Sequence, residues 1–409
     1  MRSGTRARSP IAGVPPGSRR RSETVGAVVI GGDYQGLAIA RSLGRRGIPI
    51  CVVDDEVSIA RVSRHSDHTV RVKSLRNDQA TLEALELAAR RHGLEGWVLF
   101  PTRDETVAAL SRHREELSAR FRVPTPSWET IRTAWDKRET YRIAQELSLP
   151  IPRTWLVAGE EELDVVEMRG PLVIKPAIKE HFFYATHAKA WRADSREELR
   201  AAYRRAADLI GPEEVIVQEM IPGDGAAQFS YCALFTGGRA VAAMTVRRRR
   251  QHPSDFGRAS TFVETVDLSA IEGPSIRFLE AIGYHGLVEL EYKRDARDGE
   301  YRLLDVNART WGYHSLGPAA GVDFPSLLFR EQMGETLPAV RARPGVRWIR
   351  LATDVPNAVR DIASGDLRPS AYLRSLRGID TEAVFSKSDP LPGLFELALL
   401  PYLFVRRGL

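Results

Sequence analysis

Residues Gly286 to Arg309, GLVELEYKRDARDGEYRLLDVNAR, constrain this chain more than any other stretch. Apolar and polar residues alternate from Leu287 to Lys293. Val288, Leu290 and Tyr292 therefore share one face, and Glu289 and Glu291 the other, which is the period of a strand. The turn Asp295-Ala-Arg-Asp-Gly299 follows, and Tyr301 to Asn307 reads as a returning strand, so the segment predicts a β-hairpin. Asp305 and Asn307 are two apart and lie on one face, so two acidic groups and an amide gather on facing strand ends. Such oxygen donors suit Mg²⁺, which is usually held by one or two carboxylates plus substrate phosphates, and the geometry therefore implies a nucleotide. The competing reading is an ordinary hairpin with acidic residues on its solvent face, and the rest of the chain weighs between the two.

The chain has 409 residues, enough for two or three domains, and its 43% hydrophobic and 27% charged content is that of a globular protein. Two cysteines, Cys51 and Cys232, give no disulfide framework and no CxxC zinc spacing, a pattern that fits a reducing cytoplasmic setting. No apolar run reaches about 18 residues, so no transmembrane segment is expected. The net charge of +6 rests on arginine, because only seven of the 59 basic residues are lysine. That excess reads as codon bias rather than nucleic-acid binding, and it makes each lysine informative as a compact phosphate-binding charge.

Residues 1–23 are rich in Arg, Gly, Pro and Ser without apolar period and read as a disordered basic tail. A βαβ opening follows, from the buried strand at Ala27 through Gly31-Gly32-Asp-Tyr-Gln-Gly36 and a helix to a second strand ending at Asp54. The glycine pattern is GGxxxG, with neither the GxGxxG order nor a Walker Lys-Ser/Thr. A helix at Gln79–His92, a strand at Trp97–Phe100 and a helix at Glu105–Arg120 complete a Rossmann-like domain over 24–123. Prolines 124, 126, 150 and 152 punctuate the passage into a second domain, 124–335. Its strands are expected at Leu172–Lys175, Val215–Glu219, Gln228–Phe235 and Ala240–Val246, with the hairpin last. Beyond it, 336–409 reads as an extension with a strand at Trp348–Val355 and helices at Ala358–Ser364 and Ser370–Leu376.

Lys137 opening a helix, Lys175 ending the strand Val-Ile-Lys-Pro176, and Gln218-Glu-Met-Ile-Pro-Gly-Asp224 stand in a fixed order ahead of the acidic hairpin. That order resembles the ATP-grasp superfamily of carboxylate ligases over about residues 27–335. The run GYHGLVELEYKRDARDGEYRLLDVNARTWG, together with Arg249–Gly257 and Asp389-Pro-Leu-Pro392, is similar to the predicted ATP-grasp group that contains the D-aspartate ligases. The resemblance implies an α/β fold, α+β in the ATP-grasp part. A Rossmann-like pre-ATP-grasp domain would precede a two-subdomain ATP-grasp domain with a lid at about 150–220, and a C-terminal extension would follow. It also implies that Lys137 and Lys175 neutralise phosphate oxygens, that backbone groups of Glu219 and Ile221 meet the adenine edge with Gln218 assisting, and that Asp224 meets the ribose. Glu291, Asp305 and Asn307 would hold Mg²⁺, with Mn²⁺ as the alternative cation, and Arg309 would face the transferring phosphoryl group. Two departures stand out. Asp305 replaces the usual Glu, and Ala177–Lys189 replaces a Gly-rich phosphate loop, so that Lys179 or Lys189 closes the site instead.

Several residues carry a plain reading beside the functional one. Lys137 alone is an ordinary helix-surface lysine, and Arg247–Arg250 reads either as a solvated strand end or as a loop whose Arg250 meets an anion. The histidines lack metal spacing, and Trp311 reads as packing. Asp33, Tyr34 and Arg103 are substrate-selecting residues or turn and cap residues. The apolar run Leu394–Val405 docks on the protein or rests on a membrane surface. The expected function is ATP-dependent joining of a small-molecule carboxylate, an amino acid by default, to an amine acceptor through an acyl phosphate, in a monomer or homodimer. The alternatives are a nucleotide-binding regulatory or scaffold protein without turnover, and an NAD-dependent oxidoreductase resting on Gly31–Gly36 and Asp54 alone.

Overall fold

The computed structural model describes residues 24–252 and 259–407, so the expected basic tail lies outside the described residues. Strand β1 (Ala27–Ile30), helix α1 (Tyr34–Gly44), β2 (Ile50–Asp54), β3 (His68–Arg71), α2 (Asp78–His92), β4 (Val98–Pro101), α3 (Asp104–Arg112) and α4 (Arg114–Ser118) form the first α/β unit. Its four strands are parallel in the order β3-β2-β1-β4. The expected helix Glu105–Arg120 is broken at His113, whose φ of −105° and ψ of 24° leave the helical region.

The two glycine ends of the GGxxxG turn have separate causes. Gly31 has φ +94°, which disfavours a side chain, and a Cβ on Gly36 would lie 2.1 Å from the Gly31 carbonyl oxygen. The turn serves the fold and offers little to a dinucleotide, because the Gly32 N–H already donates to Asp54 Oδ2 at 2.6 Å. The Asp33 carboxylate caps α1 by accepting from the Gln35 N–H. Two carboxylates at this helix N-terminus repel a pyrophosphate where a dinucleotide would need one, which removes the oxidoreductase reading.

Helices α5 (Trp128–Trp135) and α6 (Lys137–Glu146) lead to a small antiparallel sheet. It is made of β5 (Thr154–Leu156), β6 (Leu172–Pro176), β7 (Trp191–Ala193) and β8 (Val215–Glu219), ordered β5-β8-β6-β7, with α7 (Lys179–Thr186) and α8 (Arg196–Ile210) joined to it. Its core, with Phe182, Leu199 and Tyr203, is its own.

The large sheet begins with β9 (Gln228–Thr236), β10 (Arg239–His252) and β11 (Ala259–Thr265), followed by α9 (Glu272–Ala281) and the hairpin β12 (Gly286–Arg294) and β13 (Tyr301–Asn307). Helices α10 (Leu316–Ala320) and α11 (Phe324–Gln332) come next. Then β14 (Val340–Arg341), β15 (Arg347–Ile349), α12 (Leu351–Ser364), α13 (Pro369–Ser375), β16 (Thr381–Glu382) and α14 (Leu391–Arg407) close the chain. The order is β13-β12-β9-β10-β11-β15-β16, with β14 beside β10. Ala27 and Val29 of β1 share a core with Leu234, Met244, Trp311 and Trp348, so the first sheet is sealed onto the large one.

Two expectations are corrected in this sheet. Strand β10 runs six residues past Val246, because its last part keeps a partner in β11 after β9 ends at the Arg247–Phe229 pair. The expected strand Trp348–Val355 stops at Ile349, and α12 begins at Leu351. Its buried positions Thr353, Asp354, Asn357 and Ala358 follow helical spacing, and Pro356 is accommodated inside it.

The C-terminal segment is fastened by buried polar contacts. Asp389 accepts from Arg41 Nε at 2.9 Å, from Ser63 Oγ at 2.7 Å and from the Arg64 N–H at 3.0 Å. Arg350 pairs with Glu396 at 3.0 Å, and Phe395 and Leu399 of α14 pack on the shared core. Among the described residues no helix is long and apolar enough to cross a membrane.

Candidate active site

A cleft with a free volume of ≈ 160 Å³ opens between the small sheet and the large one. Eight of the sequence-derived site residues line it: Lys137, Lys175, Lys189, Gln218, Glu219, Ile221, Glu291 and Asp305. Lys137 is the first residue of α6, where its N–H donates to the Ala177 carbonyl, and its ammonium donates to Asp305 Oδ1 at 2.6 Å. Burial opposes charge on Lys137, but Asp305 outweighs it and raises its pKa. Lys175 faces the reverse balance. Burial and the neighbouring Lys137 bring its pKa down to about 7, and its ammonium donates to Gln218 Oε1 at 2.7 Å and to the Tyr141 hydroxyl. One lysine is thus paired and charged, while the other gains from any anion that enters.

The hairpin register puts Glu291 opposite Asp305 and Glu289 opposite Asn307. Asn307 Nδ2 donates to Glu291 Oε1 at 2.9 Å and to Glu289 Oε2 at 3.2 Å, which ties the three into one group. Burial raises the Glu291 carboxyl, yet Arg248 and Lys189 overcome it and hold its pKa at about 2. At Glu289 the pull of Arg248 is too weak to offset the opposing effects. Burial and the adjacent Glu291 push it up to about 7, and it accepts from the Tyr313 hydroxyl. The Glu291 and Asp305 carboxylates are hard donors of the kind that Mg²⁺ takes together with phosphate oxygens, while Asn307 Oδ1 here accepts from Arg309 Nη2 at 3.3 Å and would turn to join them. Among the described residues no group of three or more His, Cys, Asp or Glu forms a cage by itself.

The remaining sequence-derived residues are placed differently. Glu219 uses its N–H on the Arg153 carbonyl and its carboxylate on Arg297, so only its carbonyl is left for a ligand. Asp224 caps a short turn through the Ala226 N–H and does not line the cleft. Arg309 is gripped by Asp104, with Nε 2.6 Å from Oδ1 and Nη2 3.0 Å from Oδ2. The carboxylate pulls the guanidinium pKa up against the effect of burial.

Arg250 is not brought to the cleft. Its guanidinium makes two 2.8 Å bonds to Asp354 and a third to Ser375. The cause is a β-bulge: Arg248 pairs with Val263, and Arg250 with Phe262. The two arginines would share a face in a regular strand, but the extra residue turns Arg250 away. Arg248 takes the cleft position instead and reaches Glu291 at 3.1 Å. The segment expected to replace a Gly-rich loop is helix α7. It carries Lys179 to Asp104 and leaves Lys189 beside the cleft, so the two lysines have separate places.

Arg248, Tyr141, Asp104 and Lys293 escaped the sequence reading. Arg248 was hidden by its three arginine neighbours. Asp104 meets Arg309 across 205 residues, which no local pattern signals.

The chain is similar to several known proteins. A family model described as "ATP-grasp in the biosynthetic pathway with Ter operon" matches residues 212–353. A D-aspartate ligase of Enterococcus faecium is 26% identical over 298 residues, covering 69% of this chain and 70% of the relative. A D-alanine–D-alanine ligase of Pseudomonas entomophila is 29% identical over 217 residues, and the match covers 48% of this chain and 62% of that protein. The fold is similar to the biotin carboxylase of Campylobacter jejuni, with TM-score 0.63 at 16% identity over 77% of this chain and 72% of that one. It is also similar to an L-amino acid ligase of Bacillus licheniformis, with TM-score 0.59 at 17% identity over 76% of this chain and 74% of the other.

Proposed function

We propose that this chain, an ATP-grasp enzyme of the ADP-forming, C–N bond-forming ligase class, activates the carboxylate of an amino acid and joins it to an amine. The observation that carries the reading is the convergence of Lys137, Lys175 and Lys189 with Glu291 and Asp305 in one cleft. A site built for three or four phosphate charges needs such cations, and it needs hard oxygen donors beside them.

In this reading the lysines neutralise phosphate oxygens, and Lys175 gains its proton as the nucleotide arrives. The adenine edge would meet the Glu219 carbonyl and the backbone at Ile221, with Gln218 orienting Lys175, and the ribose role expected for Asp224 is not kept, because that residue does not line the cleft. Glu291, Asp305 and Asn307 would hold Mg²⁺, which supplies charge neutralisation between the outer phosphates. Arg248 keeps Glu291 ionised. Arg309, held by Asp104, offers positive charge to the phosphoryl group in transfer. The terminal P–O bond of ATP breaks as the substrate carboxylate oxygen bonds to phosphorus, giving an acyl phosphate and ADP. An amine nitrogen then attacks the carbonyl carbon, loses a proton, and phosphate leaves with its oxygen. No covalent protein nucleophile is required.

The test is ADP and phosphate release from the full chain with Mg²⁺-ATP and amino acids, singly and in pairs, with mass detection of products. Substrate-dependent ADP and a condensed product are expected. AMP and pyrophosphate would refute the acyl-phosphate route, and tight ATP binding without any turnover would favour a regulatory nucleotide-binding protein. Glu291→Ala and Asn307→Ala are each expected to lower Mg²⁺-dependent ADP release by roughly tenfold or more. Full turnover in both would remove the metal assignment.

A further inference from the structure

A second, smaller pocket lies at the seam where α3, α5, α7 and the end of β13 meet. Asp104, Trp135, Lys179, Glu180 and Asn307 line it, with apolar walls from α3 and α5. Asp305 and Lys137 border both this pocket and the cleft, so the two spaces adjoin at the hairpin end.

Glu180 is the unusual group. It is 9% exposed, and its Oε2 accepts from the Trp135 indole N–H at 3.1 Å. Its Oε1 is buried and receives no hydrogen bond. Lys179 Nζ stands 3.6 Å from that oxygen, at ion-pair range but too far to donate, because it is committed to Asp104. A buried carboxylate oxygen without a donor is destabilising, so the site calls for one. The pocket's free volume of ≈ 20 Å³ matches a single water-sized group. A primary ammonium has that size, three donors and the charge that a carboxylate selects, and an aromatic wall suits it too.

We propose that this pocket receives the primary ammonium group of a substrate, with the Glu180 carboxylate as its acceptor and Trp135 fixing that carboxylate. The inference rests on the ligase reading and deepens it by placing amine selection at the seam between α7 and the first unit. The ammonium belongs either to the amine acceptor or to the amino acid whose carboxylate is activated.

Calorimetric titration of the full chain, with Mg²⁺ and a non-hydrolysable ATP analogue present, separates these sources. Methylammonium, glycine and acetamide are the probes. At least one of the two ammonium probes binds and acetamide does not. Methylammonium binding assigns the site to the acceptor, and binding of glycine alone assigns it to the activated amino acid. Glu180→Gln weakens the ammonium probe roughly tenfold or more, the loss of one charge-assisted hydrogen bond. Trp135→Phe keeps a ring, removes the donor that orients Glu180, and weakens the same probe. Equal binding of acetamide, no ammonium binding, or unchanged affinity in Glu180→Gln overturns the proposal and leaves a pocket for water only. Ammonium binding without ADP release for any amino-acid pair would sink the ligase reading and keep the subsite. ADP release with Glu180→Gln indistinguishable from the unaltered protein does the reverse.

Discussion

Lys175 makes nucleotide affinity depend on pH in a direction that can be worked out beforehand. In the free protein, burial and Lys137 hold its pKa near about 7. An entering phosphate supplies the missing counter-charge and returns the pKa toward the ordinary lysine value of about 10.4. At pH 8 the free side chain is about nine-tenths neutral, so binding takes up roughly 0.9 proton. At pH 6 it is already charged, and uptake falls to about a tenth of a proton. Because the bound form is the protonated one, affinity falls as pH rises from 7 to 9, by up to roughly 50-fold or about 2.3 kcal/mol. The assay is calorimetric titration with Mg²⁺-ADP in buffers of different ionisation enthalpy, since the nucleotide phosphates are fully ionised above pH 8. Lys189 is also shifted down, by burial first, so the contribution of Lys175 is the difference between the protein and Lys175→Met. A flat affinity profile from pH 7 to 9, or the same proton uptake in Lys175→Met, would refute the reasoning.

Two further outcomes follow from the ion pairs. Arg250→Met leaves the fully buried Asp354 carboxylate without its cation and is expected to cost about 3–5 kcal/mol in urea denaturation, with the KM for ATP unchanged. Arg248→Met is expected to raise that KM, because Glu291 loses the charge that keeps it ionised. Burial raises the Asp389 carboxyl, but hydrogen bonds from Arg64, Ser63 and Arg41 hold it below its ordinary value. It therefore contributes stability above the unfolded pKa of about 3.9 that is lost as pH falls through the folded one. Asp389→Ala should be less stable than the unaltered protein at pH 7 by thermal melt, and the gap should narrow toward pH 3.

The residues that sequence patterns placed well share a local cause. Alternation over Leu287–Lys293 and the Asp295–Gly299 turn fix a hairpin, and the hairpin fixes which carboxylates meet. The GGxxxG turn is legible for the same reason, since positive φ and close approach are demands on single residues. Arg250 was misplaced because one extra residue in β10 reverses every side chain after it, and nothing in RRRRQH marks where the bulge falls. Leu351–Val355 follows the apolar pair of β15 directly and so reads as its continuation, whereas the bonds that Asp354 accepts from Thr261 and Arg250 on the helix face come from partners about a hundred residues away. Asp104 and Glu180 carry meaning only through partners brought close by the whole fold. Helix α7 follows from its docking on α3, where Tyr184 donates to Glu105 at 2.5 Å, and a loop was the natural reading without that neighbour.

The Asp389 anchor also bears on how the molecule is made. Arg41 sits on α1 and is buried in the finished fold, but its carboxylate partner follows 348 residues later in the chain. At about 5–20 residues per second that interval lasts roughly 17–70 s. Throughout it the opening α/β unit holds an arginine whose final resting place would strand a charge, so this face has to stay loosely formed and wet. The later segment thereby completes the earlier one, and a chain interrupted between them would keep an unsettled surface for a chaperone or a protease to find.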